Sequence, residues 1–126
     1  MTADDVTTIR IRLLLGEDGV KFGPGKADLL DGIAAQGSIA AAGRRMGMSY
    51  RRAWSLVDEM NSAFAQPLVT SSRGGVQGGG AALTADGQAV LAHYRALEAK
   101  VRAEGSDDIA GITDRLRKPG TGGATG

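Results

Sequence analysis

Four arginines lie close together in this chain, as Arg44-Arg45 and Arg51-Arg52, and the stretch from Ser38 to Val57 that holds them contains no acid. A guanidinium group pairs with phosphate oxygens or reads a guanine edge, so an acid-free run of this kind points to a polyanion. The chain as a whole is nearly neutral, with 15 Lys and Arg against 14 Asp and Glu and a formal net charge of +1. Acids collect instead near the start, at Asp28 and Asp31, at Asp58 and Glu59, and in the tail. A basic patch on a neutral chain confines such contacts to one site. Other chemistry finds little support. Cysteine is absent, which excludes disulfides, thiolate metal ligands and thiol catalysis. The one histidine, His93, has no partners at triad spacing and makes no metal cluster by itself. It is expected on a surface or at a dimer interface. No catalytic residue, metal or cofactor is expected, and the chain is not read as an enzyme.

The run from Gly74 to Gly80, GGVQGGG, suggests a phosphate loop at first sight. No Lys-Ser or Lys-Thr follows it, so it is not a P-loop, and it lacks the dinucleotide-binding fingerprint. It reads better as the tip of a β hairpin whose bare backbone lies close to a phosphate strand, with Arg73, Gln77, Gly78 and Gly79 as contacts.

The elements that would position these groups follow from periodicity. In Thr7 to Leu15, Ile9, Ile11 and Leu13 alternate with Arg10 and Arg12, the pattern of a half-buried strand. Gly16 to Gly19 make a turn, Val20 to Phe22 a short returning strand, and Gly23-Pro24-Gly25 a break. Leu29, Leu30 and Ile33 place a helix over Lys26 to Gln36, ended by Gly37. Ser38 caps a second helix running to about Met46, and Ser49 a third running to about Ala65 before Pro67. Leu68 to Ser72 and Ala81 to Leu83 form the hairpin around the glycine-rich tip. A long helix runs from Thr84 to about Glu104, with Val90, Tyr94, Leu97 and Val101 as one apolar stripe. Asp107 to Lys118 reads as a weak helix and Pro119 to Gly126 as a disordered end.

Three helices followed by a hairpin make a winged helix-turn-helix, a mainly α fold with a small β component. In such a pair the second helix crosses close over the first, so a small residue is needed at the crossing and a residue tolerant of positive φ in the turn. Gly43 and Gly47 meet those needs, while Ala42, Met46, Met48, Ala53 and Leu56 pin the pair to the first helix. The third helix continues its apolar stripe through Val57, Met60 and Phe64. It would enter the major groove at its N-terminal end, bringing Ser49, Tyr50, Arg51, Arg52 and Ser55 to DNA. Ser38, Arg44 and Arg45 flank it. Either arginine of the Arg51-Arg52 pair reads a base or holds phosphate. Tyr50 and Trp54 suit packing better than base reading, though Tyr50 lies within reach of a phosphate.

The segments Gly37-Ser38-Ile39 and Ser49-Tyr50-Arg51-Arg52-Ala53-Trp54, then Glu59-Met60-Asn61, the wing glycines, Ala82-Leu83-Thr84 and Gly87-Gln88 together resemble the DNA-binding domain of ModE-type molybdate-responsive regulators. The helix-turn-helix alone fits many regulators, the LysR type included. The likeness covers about residues 8 to 104, and residues 1–104 are taken as the domain, with 105–126 as a tail. It implies a dimer formed partly through the long helix, with Val90, Tyr94, Leu97 and Val101 at the interface, on a palindromic operator. Family members continue into a pair of small β-barrel domains that bind molybdate. The 126 residues here leave no room for one, so direct molybdate sensing is not expected, and molybdate regulation is the implied context.

With no apolar run long enough to span a membrane and no secretory pattern at the N-terminus, the expected place is the cytoplasm. Double-stranded DNA and a second copy of the chain are the expected partners. A winged helix used for protein contacts without DNA is the other reading that the same elements allow.

Overall fold

The computed structural model describes residues 7–72 and 80–117. They divide between two compact units, one spanning 10–96 and the other combining 1–9 with 97–126.

The larger unit opens with a two-stranded antiparallel sheet, β1 (Leu13–Leu15) and β2 (Val20–Phe22), with Leu13 opposite Phe22 and Leu15 opposite Val20. The expected strand from Thr7 keeps its alternation of half-buried and exposed residues throughout. Only its last three residues pair, because β2 is three residues long and offers nothing further to bond. Helix α1 (Pro24–Gln36) starts earlier than the break at Gly23-Pro24-Gly25 suggested, since Pro24 occupies the first helical position, where its missing N–H costs nothing. Its end is closed by Gly37, which donates its N–H to the Ile33 carbonyl at 2.8 Å. Helices α2 (Ile39–Arg45) and α3 (Tyr50–Ala63) follow. Then come β3 (Val69–Ser72) and β4 (Gly80–Leu83), paired from Val69 with Leu83 to Ser72 with Gly80.

The core lies among these elements. Leu29, Leu30 and Ile33 of α1, Ile39 and Ala42 of α2, and Ala53, Val57 and Met60 of α3 are all buried, together with Leu68 and Phe22. Burying each large side chain contributes about 1.5–3 kcal/mol. Phe22 meets Phe64 and Tyr94 edge to face at 6.5 and 5.3 Å. The first hairpin is thereby fixed to the C-terminal end of α3 and to α4 (Ala85–Glu104). Leu91 and Tyr94 bring α4 into the same core, and the Tyr94 hydroxyl donates to the Ile11 carbonyl. Arg95 of α4 reaches both Asp28 and Asp31 of α1, at 2.7 and 2.6 Å.

The smaller unit is described over residues 7–9 and 97–117. It holds the C-terminal end of α4 and helix α5 (Ser106–Thr113), and Arg102 donates from Nη1 to the Thr7 carbonyl at 3.2 Å. Ile112 and Leu116 are exposed there. No helix among the described residues is long and apolar enough to cross a membrane.

Candidate nucleic-acid interface

The helix pair is built as the glycine spacing requires. A Cβ placed on Gly43 would meet the Ala53 Cβ at 2.8 Å and the Met48 Cγ at 3.4 Å, so α2 and α3 cross at a distance only glycine permits. Gly47 turns the chain at φ +74, where a side chain is strained. The Met48 N–H then returns to the Gly43 carbonyl at 3.0 Å. Each helix is capped by the serine expected. Ser38 accepts from the Ala41 N–H at 3.1 Å and Ser49 from the Arg52 N–H at 3.0 Å, leaving each hydroxyl proton free to be donated.

The orientation of α3 follows from its buried residues. At 3.6 residues per turn, Ala53, Leu56, Val57 and Met60 fix the inward direction, and all four are buried. Arg51, Ser55, Asp58 and Ser62 lie opposite and are exposed. This row forms one wall of an open groove of about 1210 Å³. Ser71 and Ser72 of β3, Gly80 and Ala81 of β4, and Ser38 line it as well. Arg52 is exposed as well but does not line the groove. The two arginines that the sequence leaves equivalent are therefore distinct, one on the outermost row and one to its side. Arg44 and Arg45 are exposed at the C-terminal end of α2, where cations also suit the helix dipole. Tyr50 is 61 % exposed and stands edge to face with Trp54 at 6.1 Å. Trp54 is half-buried, and its indole Nε1 has no hydrogen-bond partner among the described residues, so packing alone holds the ring. Arg73, Gln77, Gly78 and Gly79, the expected contacts at the wing tip, lie outside the described residues.

Asn61 positions the wing, a role its place in the Glu59-Met60-Asn61 segment did not reveal. Its Oδ1 accepts from the Leu68 and Val69 N–H groups at 2.8 and 3.1 Å, and its Nδ2 donates to the Val69 carbonyl at 3.0 Å. A lone Asn near a helix end carries no signal of what it will hold. From the other side, Ala81 donates its N–H to the Gly37 carbonyl at 2.9 Å, and Thr84 donates from Oγ1 to the Pro67 carbonyl at 2.7 Å. The hairpin base is thus tied to α3, to the turn before α2 and to the start of α4.

The stripe expected at the dimer interface divides. Tyr94 is 3 % exposed and committed to its own core, and Val90 packs against that core. Leu97 is half-buried and Val101 is 38 % exposed. The opposite face of α4 carries alanines at a repeating four-three spacing. Ala85, Ala89, Ala92 and Ala96 belong to the larger unit, Ala99 and Ala103 to the smaller, and all are exposed. Scanning for large apolar side chains passes over such a row. His93 is exposed beside it. Among the described residues no group of three or more His, Cys, Asp or Glu is placed to hold a metal ion.

Residues 27–88 match the model of the bacterial regulatory helix-turn-helix proteins of the lysR family. The chain is 44 % identical over 89 residues to the molybdenum-pterin-binding protein MopB of Rhodobacter capsulatus, covering 71 % of this chain and 33 % of that protein. It is 40 % identical over 93 residues to the molybdenum transport protein ModE of Azotobacter vinelandii, covering 73 % and 34 %. With the DNA-binding transcriptional dual regulator ModE of Escherichia coli K12 the identity is 36 % over 97 residues, covering 77 % and 35 %. The chain thus spans about a third of the length of these curated relatives. Among solved structures, full-length CbnR complexed with its target DNA has the same fold over 68 % of this chain and 28 % of that one, with a TM-score of 0.52 and 21 % identity.

Proposed function

We propose that this protein is a sequence-specific DNA-binding transcription regulator that acts as a homodimer on a palindromic site, in the control of molybdenum-related genes. The observation that carries the reading is the outermost row of α3. It begins at a serine-capped N-terminus, it bears Arg51, and it faces away from the core along an open groove that strands β3 and β4 also line. A helix presented in this way enters a major groove, and the adjoining strand pair lies over the flanking backbone. The molybdenum context comes from the relatives named above.

The dimer is supported by α4. Its exposed alanine row lets a second helix approach closely, and pairing about a two-fold axis would set two copies of α3 roughly 34 Å apart, one turn of DNA. DNA and a cytoplasmic setting are the partner and place that suit this reading.

Titration of a labelled duplex library with the protein over a salt series tests it. Enrichment of one symmetric sequence is expected, with affinity falling linearly in log salt as counterions are released. No binding at low salt would refute the proposal.

A further inference from the structure

The outermost row of α3 pairs an arginine with an acid, and the acid is hard to explain by the fold. Asp58 is exposed and has no hydrogen-bond or ion-pair partner among the described residues. Its neighbour Glu59 is engaged with Lys26 at 3.2 Å. Asp58 stands seven residues after Arg51, which is two helical turns and about 10.5 Å along the same face. Both line the groove.

An ionised carboxylate only accepts hydrogen bonds. Brought to a DNA backbone it meets phosphate oxygens, which repel it. Brought to the floor of a major groove it meets mostly acceptors, namely N7 and O6 of guanine, N7 of adenine and O4 of thymine. The amino groups of cytosine and adenine are the donors there, and adenine sets its amino group beside the N7 acceptor. Cytosine N4 is the partner that suits Asp58.

We infer that Asp58 is a specificity-determining residue that selects cytosine about three base-pair steps from a guanine read by Arg51. The inference rests on the DNA reading above and deepens it. Arg51 contributes attraction and specificity together. Asp58 contributes mainly by rejection, because guanine and thymine leave its carboxylate facing acceptors, and adenine sets the N7 acceptor beside its amino donor. Arg52, off the groove, holds the backbone and carries no base information.

Selection from a randomised duplex library by the 126-residue wild-type chain and its D58N, R51A and R52A variants tests this. All three positions are exposed, and circular dichroism checks that each variant keeps the fold. The wild type is expected to enrich a motif with guanine and cytosine at the stated separation in each half-site. D58N should lose the cytosine preference by roughly tenfold or more and move toward adenine, the usual partner of an amide side chain, with the guanine position intact. R51A should lose the guanine position. R52A should keep the motif, bind more weakly and show a shallower salt slope. A D58N motif identical to a sharp wild-type motif overturns the inference and leaves the DNA reading standing. A wild type that enriches nothing overturns both.

Discussion

Replacing Gly43 by alanine tests the crossing on which the presentation of α3 depends. The new methyl would stand 2.8 Å from the Ala53 Cβ, nearer than carbon atoms approach, with the Met48 Cγ at 3.4 Å beside it. Met48 can yield by rotating, but Ala53 cannot. Its Cβ is fixed to the α3 backbone, and the residue is fully buried. The two helices must therefore part by several tenths of an ångström. Overpacking of this kind costs about 1–3 kcal/mol. Alanine also favours a helix interior over glycine by about 1 kcal/mol, so the net loss for G43A should be about 0–2 kcal/mol. That net value decides little, and the coupling with Ala53 is the sharper quantity. In the G43A/A53G double variant the methyl moves from one side of the crossing to the other and the clash disappears. The double variant should then be more stable than the sum of the single effects by about 1–3 kcal/mol. Urea unfolding followed by Trp54, the single tryptophan, reads all four members of the cycle, and comparable m-values show that the midpoints measure stability. A coupling below about 0.5 kcal/mol, the level of independent sites, would refute the claim that this contact sets the crossing.

Gly87 gives a harsher case, since a Cβ there would lie 2.1 Å from the Leu68 carbonyl oxygen. G87A should lose more stability than G43A, by about 3 kcal/mol or more, seen as a large drop in the urea midpoint. N61A removes the amide that holds Leu68 and Val69, and should cost about 1–3 kcal/mol. It should also speed hydrogen exchange at the Leu68 and Val69 amides more than at Ala53, measured by NMR. Arginine at both Ala92 and Ala96 should give a monomer mass by light scattering at concentrations where the wild type is a dimer, because the exposed alanine row would then present charge to its own copy. An unchanged dimer would place the pairing surface elsewhere.

Much of the interface was legible because turns and caps are local chemistry. Gly43, Gly47, Ser38 and Ser49 announce a steep helix pair at fixed spacing, and the structure places each where that geometry needs it. The long helix was legible as a helix but not in its facing. Val90, Tyr94, Leu97 and Val101 share a stripe, yet which body covers a stripe is a tertiary fact. Here Phe22 and the Ile11 carbonyl claim Tyr94. Asn61 and Gly87 were invisible in role for the same reason, since their partners in the Leu68-Val69 segment are brought to them by the fold alone. Strand β1 was read too long because alternation reports burial, not pairing.

The central claim is that the outward row of α3 meets DNA, and NMR mapping tests it most directly. Isotopically labelled protein titrated with a duplex enriched from the library should show its largest amide shifts from Ser49 to Asp58, the stretch whose outward row lines the groove, and at Ser71 and Ser72 across from it. Shifts confined to the β1–β2 hairpin or to α4, with α3 silent, would contradict the account.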